Sequence, residues 1–238
     1  MPDVVEDSDD DPVDPADPDR LRKVRRDSVA VGVAVGTSGL TFGAAGVAAG
    51  LTVWQCAALS LLVFTGASQF ALVGVLGGGG SALAGALSAV ALGVRNTFYG
   101  IRLADALHLS GFRRLLSAQI VIDESAAMAT TQPTRRESRV AFFATGLAVY
   151  VVWNLATVVG AIGAGQIGDP MTFGVDAAAP AAFLALIAPR LRGRVERRTG
   201  ALAVAIALVA VPLTPVGVPV LLAALAVLPV ALGRRNDA

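Results

Sequence analysis

Apolar runs, each close to the length that crosses a lipid bilayer, follow one another along most of this chain. They begin near Ser28 and end near Leu232, and only short polar or basic segments separate them. A helix needs about 20 predominantly apolar residues to cross the hydrocarbon core. Charged residues make up 16% of the chain, well below the roughly 25% typical of soluble domains. The sequence therefore predicts an all-α polytopic membrane protein with a single membrane domain.

The distribution of charge divides the chain into three regions. Residues 1–27 hold an acidic, proline-rich leader, which we expect to be disordered, and a basic juxtamembrane segment, Arg20–Arg26. Residues 28–233 form the transmembrane domain, and residues 234–238 form a short tail that begins with a last pair of arginines. Positive charge flanks membrane segments mainly on the cytoplasmic side. Both termini are therefore predicted to be cytoplasmic, in a protein that crosses the cytoplasmic membrane several times.

The number of membrane segments is predicted as about seven or eight, some of them short, broken or re-entrant. The segments expected before the central basic loop are 28–51, 53–76, 81–101 and 115–131. The last is weaker, because Asp123 and Glu124 lie in its middle. The first half of the chain crosses four times if this segment spans, and twice if part of it is re-entrant. Short, Gly- or Pro-interrupted segments often form the binding sites of transporters.

Two polar interruptions break the apolar stretch over residues 64–102. Ser68 and Gln69 form the first interruption, and Arg95 and Asn96 open the second. Backbone groups in hydrocarbon have no water to bind, so irregular backbone survives there only where it lines a cavity in the protein. Polar side chains at that depth are costly and mark candidate functional sites. We predict that these four residues bind substrate; for the first pair, an interhelical hydrogen bond is the alternative.

Arg95, Tyr99 and Arg102 are spaced so that they share one face of a helix. Facing a cavity, they would offer two guanidinium groups and a phenol to an anion, and Arg binds carboxylates with two parallel hydrogen bonds. Tyr99 therefore joins the predicted substrate site. The alternative is that this segment ends near residue 97, where Arg102 extends to the lipid headgroups and Tyr99 lies in the interfacial aromatic belt.

Three acidic residues are candidates for proton coupling: Asp123, Glu124 and Asp176. Carboxylates inside a membrane domain commonly form proton relays in carriers. Asp176 lies four residues before Pro180, and a proline within a span frees a backbone carbonyl that can face a cavity. The alternative for Asp123 and Glu124 is a position on an interfacial helix. The alternative for Asp176 is the membrane interface.

The composition argues against a catalytic or metal-binding function. The chain has one cysteine, Cys56, and one histidine, His108, which excludes an internal disulfide, a Cys-based metal site and a multi-histidine site. We predict no enzyme activity, no metal, no cofactor and no nucleic-acid partner. One alternative is an intramembrane serine protease, because the sequence GTSG places Ser38 in a Gly-x-Ser-Gly context. Such an enzyme needs His108 beside that serine.

Several segments together resemble one family of membrane proteins. The segments VFTGASQFALVGVL and LGVRNTFYGIRLADAL resemble the F-[AT]-G-A-[SA]-Q-F and N/G-x-R-[HN]-x-x-Y/M-G segments of the AzlC family. IDESAAM, VVWNLATVVGAIG and FGVDAAAPAAFLALIAP resemble its D-E, W-x-x-x-T-x-x-G and F-G-x-D-x-x-x-P segments. The matches run in order from about Gly36 to Pro189. Gly93 stands where Asn commonly precedes the Arg, and Asn96 replaces a common His, which puts a histidine role at that position in doubt.

AzlC is the large subunit of branched-chain amino acid exporters of the LIV-E type. The resemblance therefore implies proton-coupled export of branched-chain or similar small apolar amino acids. It also implies a small AzlD-type membrane subunit as partner, in addition to the lipid bilayer and the amino acid substrate. A channel or carrier for another small solute is the alternative that the residues themselves leave open.

Overall fold

A bundle of α-helices makes up the described part of the chain. The computed structural model describes residues 17–166, 188, 191–214 and 218–229, and no strand occurs among them. The helices are α1 (Pro18–Gly36), α2 (Gly39–Ala48), α3 (Val53–Leu62), α4 (Ala67–Gly77), α5 (Ala82–Gly93), α6 (Arg95–Leu107), α7 (Gly111–Ala118), α8 (Asp123–Thr130), α9 (Arg135–Gln166), α10 (Arg194–Ala210) and α11 (Val218–Ala223). A 3₁₀ turn over Ala224–Val227 follows. The predicted all-α class is confirmed.

Within the described residues, two units are long and apolar enough to cross a membrane. The first is α1 with α2, which spans 31 residues over Pro18–Ala48 and is interrupted only at Thr37 and Ser38. The second is α9, with 32 residues over Arg135–Gln166. Both begin at the same end, where the Arg20 guanidinium lies 3.1 Å from the buried carboxylate of Glu137. We call this the basic end, and the opposite end, with residues 49–52 and 77–81, the far end.

Glycines on one face of α1 and α2 bring these helices against α9. These glycines are Gly32, Gly36, Gly39 and Gly43. A Cβ on Gly43 would overlap the carbonyl of Thr157, and a Cβ on Gly32 would lie 2.5 Å from Cβ of Ala148. On α9, Gly160 faces the Leu40 backbone in the same way. Small residues at this spacing let two helix backbones approach closely where no hydrophobic effect drives helices together.

A hairpin of two half-length helices, α3 and α4, enters the bundle from the far end. The sequence predicts one segment over 53–76, but the structure divides it at Val63–Gly66. At the far end, a Cβ on Gly77 of α4 would lie 3.5 Å from Cβ of Ala49. At the other end of the hairpin, the Tyr150 hydroxyl donates to the Leu61 carbonyl at 3.2 Å. Tyr150 lies midway along α9, so the hairpin tip lies at half height.

Helices α5 and α6 together run from the far end to the basic end. Helix α5 packs along α4, with Gly85 against Leu72 and Gly93 near the Ser68 hydroxyl. Only Val94 separates α5 from α6. Helix α6 reaches the basic end, where the Arg139 guanidinium donates to the Leu107 carbonyl at 2.8 Å.

A second hairpin, α7 and α8, enters from the basic end. Its tip reaches half height as well, because Ile120 at the tip packs against Gly146 of α9. A Cβ added to Gly146 would lie 3.0 Å from Cβ of Ile120. Helix α8 then returns, and Thr130 lines a hollow at the basic end together with Arg102 and Arg135. Of the two arrangements expected for 115–131, the described geometry is the re-entrant one. The total number of crossings and the sides of the termini remain predictions, and residues 167–187 lie outside the described part of the chain.

Substitution of Gly43 by alanine should destabilise the protein. The added methyl group would be forced into the Thr157 carbonyl, and overpacking costs about 1–3 kcal/mol. We expect Gly43→Ala to lower the midpoint of thermal unfolding of the protein purified in detergent. Gly163→Ala is the matched control, because a Cβ on this α9 glycine meets nothing within 4 Å. An unfolding midpoint of Gly43→Ala equal to that of the control would contradict the close packing.

Candidate functional site

The tip of the α3–α4 hairpin has a backbone that few residues can adopt. Gly66 caps α4 with φ of 58°, a left-handed value that favours glycine. Phe64 has φ of 31°, which is rare for a bulky residue. The Phe64 ring packs edge-on against Tyr150 at 4.7 Å between ring centroids. Strained backbone of this kind persists only where its surroundings hold it, and it often marks functional sites.

At each hairpin tip, a backbone N–H donates a hydrogen bond to the side chain three residues further along. In the first hairpin, the Gly66 N–H donates to the side-chain oxygen of Gln69 at 3.1 Å. In the second, the Ile122 N–H donates to the Ser125 hydroxyl, also at 3.1 Å. The Gln119 amide joins the two tips by donating to the Leu61 carbonyl at 2.9 Å. These bonds replace the water that an apolar environment does not supply.

An ion pair lies where the tips meet. The Arg95 guanidinium, at the first residue of α6, is 3.0 Å from the carboxylate of Asp123, at the first residue of α8. The Arg95 side chain is 33% exposed and that of Asp123 is 13% exposed, so the pair is largely shielded from solvent. The sequence predicts a substrate role for one member and a proton-coupling role for the other. The structure shows that they contact each other directly.

A small cavity lined in part by charged groups lies beside this ion pair. It has a volume of about 50 Å³, and Ser38, Thr65, Glu124 and Trp153 are among its lining residues, with Arg95 and Asp123. Gly66 and Ala67 at the start of α4 and Ile122 at the start of α8 also line it. The first N–H groups of a helix have no intrahelical partners, and helix N-termini attract anions. Two helix N-termini and a guanidinium therefore converge on one space.

A larger, mainly apolar cavity adjoins the small one. Its volume is about 430 Å³, within the range of about 300–1,000 Å³ that is common for small-molecule sites. Phe64 and Thr65 line both cavities. From the tips the large cavity extends between α6 and α7 towards the basic end, where Leu107 and Arg114 line it. The combined space thus has Arg95, Asp123 and Glu124 at the tips, and mainly apolar side chains line the rest of its length.

An aromatic cluster holds the first hairpin against the long helices. Phe70 of α4 packs edge-on against Phe42 of α2 and Trp153 of α9, with ring centroids 5.7 and 6.1 Å apart. Thr157, one turn beyond Trp153, has its hydroxyl 3.2 Å from that of Ser60 in α3. The motif residues in TGASQF and WNLAT therefore meet: Gly66 forms the cap, Gln69 closes it, and Phe70 packs on Trp153.

The two polar residues of the first interruption have different surroundings. Gln69 is fully buried and its side-chain oxygen is used in the cap of α4, while its side-chain nitrogen has no hydrogen-bond partner among the described residues. Ser68 is also buried, and its hydroxyl lies toward Gly93 with no hydrogen-bond partner in the described part of the chain. Both adjoin the tip, but neither lines the two cavities.

The residues of the second interruption separate along α6. Asn96 lines the large cavity and donates to the Val121 carbonyl at the second tip, at 3.2 Å. Tyr99 is half-buried and packs against the core. Arg102, for which the alternative prediction is a position at the membrane boundary, is exposed and lines the hollow at the basic end. The second interruption thus supplies two residues to the site, Arg95 and Asn96.

The acidic candidates Glu124 and Asp176 and the protease alternative remain to be placed in the structure. Glu124 lines the small cavity, and Asp176 lies outside the described residues. Ser38 lies near Trp153, whereas His108 lies beside Arg135 at the basic end. About 18 residues of α9 separate those two levels, or roughly 27 Å at 1.5 Å per residue. The structure therefore does not bring Ser38 and His108 together as the protease alternative requires.

Sequence reasoning missed several residues at the tips. Thr65 lines both cavities, Gln119 joins the hairpins, and Trp153 contacts both the cavity and the first hairpin. A signal existed for Trp153, which lies in a motif that resembles the family. The same kind of signal existed for Thr65, which lies in the F-[AT]-G-A-[SA]-Q-F segment. Gln119 carries no such signal, because only the hairpin fold places it at half height. Among the described residues, no group of His, Cys, Asp and Glu could hold a metal ion.

The contact between Arg95 and Asp123 predicts a measurable coupling. Removing one partner leaves a poorly solvated charge without its counter-ion, which is costly. We expect Arg95→Met and Asp123→Asn each to lower the free energy of unfolding, and the double variant to lose less than the sum. The coupling should be about 0.5–3 kcal/mol, measured by a double-mutant cycle of unfolding in detergent. Strict additivity would contradict a direct interaction.

Comparison with known proteins agrees with the motifs at the tips. A search of curated proteins and a search of solved structures find no match. The family model described as AzlC protein matches residues 30–167, more than half of the chain. The matched region contains both hairpins, the Arg95–Asp123 pair and the whole of α9. The chain belongs to the AzlC family, as its resemblance to that family predicted.

Proposed function

We propose that this protein is a secondary transporter that exports branched-chain or similar small apolar amino acids across the cytoplasmic membrane, coupled to protons. The AzlC family is associated with branched-chain amino acid transport. The observation that carries the proposal is the paired space at the hairpin tips, with charged groups of both signs at one end and mainly apolar side chains along the other. An amino acid with a hydrocarbon side chain has the same division.

The polar end suits the charged groups of an amino acid. Its carboxylate would bind the N–H groups at the starts of α4 and α8 and the guanidinium of Arg95. Broken helices whose N-termini face an anionic substrate group are a recurring arrangement in secondary transporters. Asp123 and Glu124, on the same small cavity, would face the ammonium group.

The apolar end suits a branched side chain. Ile101, Leu103 and Phe142 are among the residues that line the large cavity. Burial of a Val or Leu side chain contributes about 1.5–3 kcal/mol, so apolar amino acids gain binding free energy there that polar ones do not. The cavity lining therefore favours leucine, isoleucine and valine over lysine or glutamate.

We base proton coupling on competition for Asp123. Its deprotonated carboxylate would face the ammonium group of the substrate, and protonation would remove that negative charge and weaken substrate binding. Proton and substrate would therefore occupy the site in turn. A proton bound from outside would promote release of the substrate there, and release of that proton to the cytoplasm would prepare the site for the next substrate.

The distribution of charge supports an orientation. Within residues 17–166, the charged residues other than Arg95, Asp123 and Glu124 lie at the basic end or in the helices leading from it, and none occurs over 28–94 or 140–166. Positive charge marks the cytoplasmic side, so we place the basic end there. The large cavity then reaches toward the cytoplasm, where an exporter collects its substrate. We also propose the small AzlD-type membrane subunit as partner, on the basis of family membership.

Efflux from loaded cells tests the proposal. Cells that produce the protein with its small partner subunit are preloaded with labelled leucine, valine or lysine, and the label released is followed with time. We expect faster release of leucine and valine, unchanged release of lysine, and loss of the difference on adding a protonophore. Asp123→Asn should abolish the protonophore effect. Unchanged release of every amino acid, with the protein present in the membrane, would contradict the proposal.

The volume of the large cavity predicts a change in specificity. Gly100 lines the cavity, and a Cβ there meets nothing within 4 Å, so Gly100→Leu should fill the space without a clash. We expect a several-fold loss of leucine efflux and a smaller loss for alanine. Gly74→Leu is the control, because Gly74 also has open space around it but does not line the cavity. Equal losses for leucine and alanine in Gly100→Leu would show that the cavity does not hold the side chain.

A further inference from the structure

We infer that residues 18–77 and 82–130 are two copies of one structural unit inserted in opposite directions, and that their hairpins are the two gates of the transport site. Each copy consists of a broken crossing helix followed by a hairpin of two half-length helices. The first copy comprises α1–α4 and the second comprises α5–α8. The gating part rests on the proposed transport function, whereas the repeat does not.

An offset of 56 residues relates helix boundaries at the helix break and at the hairpin tip of the two copies, while the ends of α2 and α6 and the open ends of the hairpins differ from it by two or three residues. It separates the starts of α2 and α6 (Gly39 and Arg95), the starts of α4 and α8 (Ala67 and Asp123), and the ends of α3 and α7 (Leu62 and Ala118). Both hairpin tips contain four residues, 63–66 and 119–122. The equal tips follow from two of these three boundaries, and agreement both at the tip and at the helix break is not expected of unrelated segments.

The capping hydrogen bonds obey the same offset. In both copies the N-cap N–H donates to the side chain of the third helical residue, Gln69 in one and Ser125 in the other, at 3.1 Å. The sequence itself retains little of the correspondence: Thr-Phe follows the helix break in both copies, at 41–42 and at 97–98. The repeat is therefore visible in the backbone and its caps rather than in residue identity.

The two copies have opposite directions. The first hairpin is open at the far end and the second at the basic end, while α1–α2 runs parallel to α9 and α5–α6 runs against it. Inverted repeats of this kind are common in secondary transporters, where the site lies at the repeat interface. Here that interface is the meeting of the two tips, where the Arg95–Asp123 pair lies. The pair belongs to the second copy alone, because Gly39 and Ala67 occupy the matching positions of the first.

The structure shows one state of a pair of gates. The large cavity reaches the basic end along α6 and α7, while Phe70 packed on Phe42 and Trp153 holds the first hairpin closed. The small cavity, at about 50 Å³, has room for only one or two water molecules. An amino acid head group therefore requires a hairpin to move. If the first hairpin took the conformation of the second and the second that of the first, the site would open to the far end and close to the basic end.

Cysteine labelling tests both parts. The buried Cys56 is the only cysteine of the chain, so Cys56→Ala provides the background for single cysteines. Trp54→Cys and Gly78→Cys probe the open end of the first hairpin, Ser110→Cys and Thr131→Cys probe that of the second, and Arg22→Cys marks the basic end. A membrane-impermeant maleimide is applied to intact and to permeabilised cells.

We expect Ser110→Cys and Thr131→Cys to share the labelling side of Arg22→Cys, and Trp54→Cys and Gly78→Cys to share the opposite side. Labelling of either pair from two different sides would overturn the inverted hairpins. For the gates, Thr65→Cys at the tip should be reached from both sides, at rates that leucine changes in opposite directions. Access from one side only, at all leucine concentrations, would overturn the gating. Two-sided access that leucine does not alter would support the gates and contradict the proposed substrate.

Discussion

The polar backbone of the hairpin tips is the constraint on which the structure depends. Two chain reversals lie at half height in an apolar bundle, where an unsatisfied N–H or C=O group would cost several kcal/mol. Gln69, Ser125, Asn96 and Gln119 satisfy these groups with their side chains, and Tyr150 donates from α9. The close packing of α1–α2 against α9 fixes the frame to which these side chains bind. The N-termini of α4 and α8, which would be costly to bury without these hydrogen bonds, thereby form part of the candidate site.

The same constraint explains why so few charges suffice. The starts of α4 and α8 line the small cavity together with one guanidinium and two carboxylates, those of Arg95, Asp123 and Glu124. In the proposed transporter, a substrate with both charges would find a partner for each, and the adjoining cavity would accept its side chain. Substrate binding and proton transfer would then both depend on Asp123.

Much of the fold class could be predicted from composition, and part of the site could be predicted from polar residues in apolar segments. Arg95, Asn96, Asp123 and Glu124 were identified in this way, because charge and amide groups at depth are rare. The hairpins were harder to predict, since 53–76 is long enough and apolar enough to read as one span. Nothing in the letters VFTG shows that Phe64 adopts φ of 31° and reverses the chain. Gln69 illustrates the same limit: its depth was predictable, but its use as a helix cap depends on that reversal.

The claim that the tips hold the carboxylate of an apolar amino acid has a direct test in equilibrium binding. Labelled leucine is bound to the purified protein in detergent, and 3-methylbutylamine, which has the leucine side chain and amine but no carboxylate, is added as competitor alongside valine. Our account predicts that valine displaces leucine and that the amine does not. Displacement by the amine as effective as that by valine, or no leucine binding to folded protein, would contradict it.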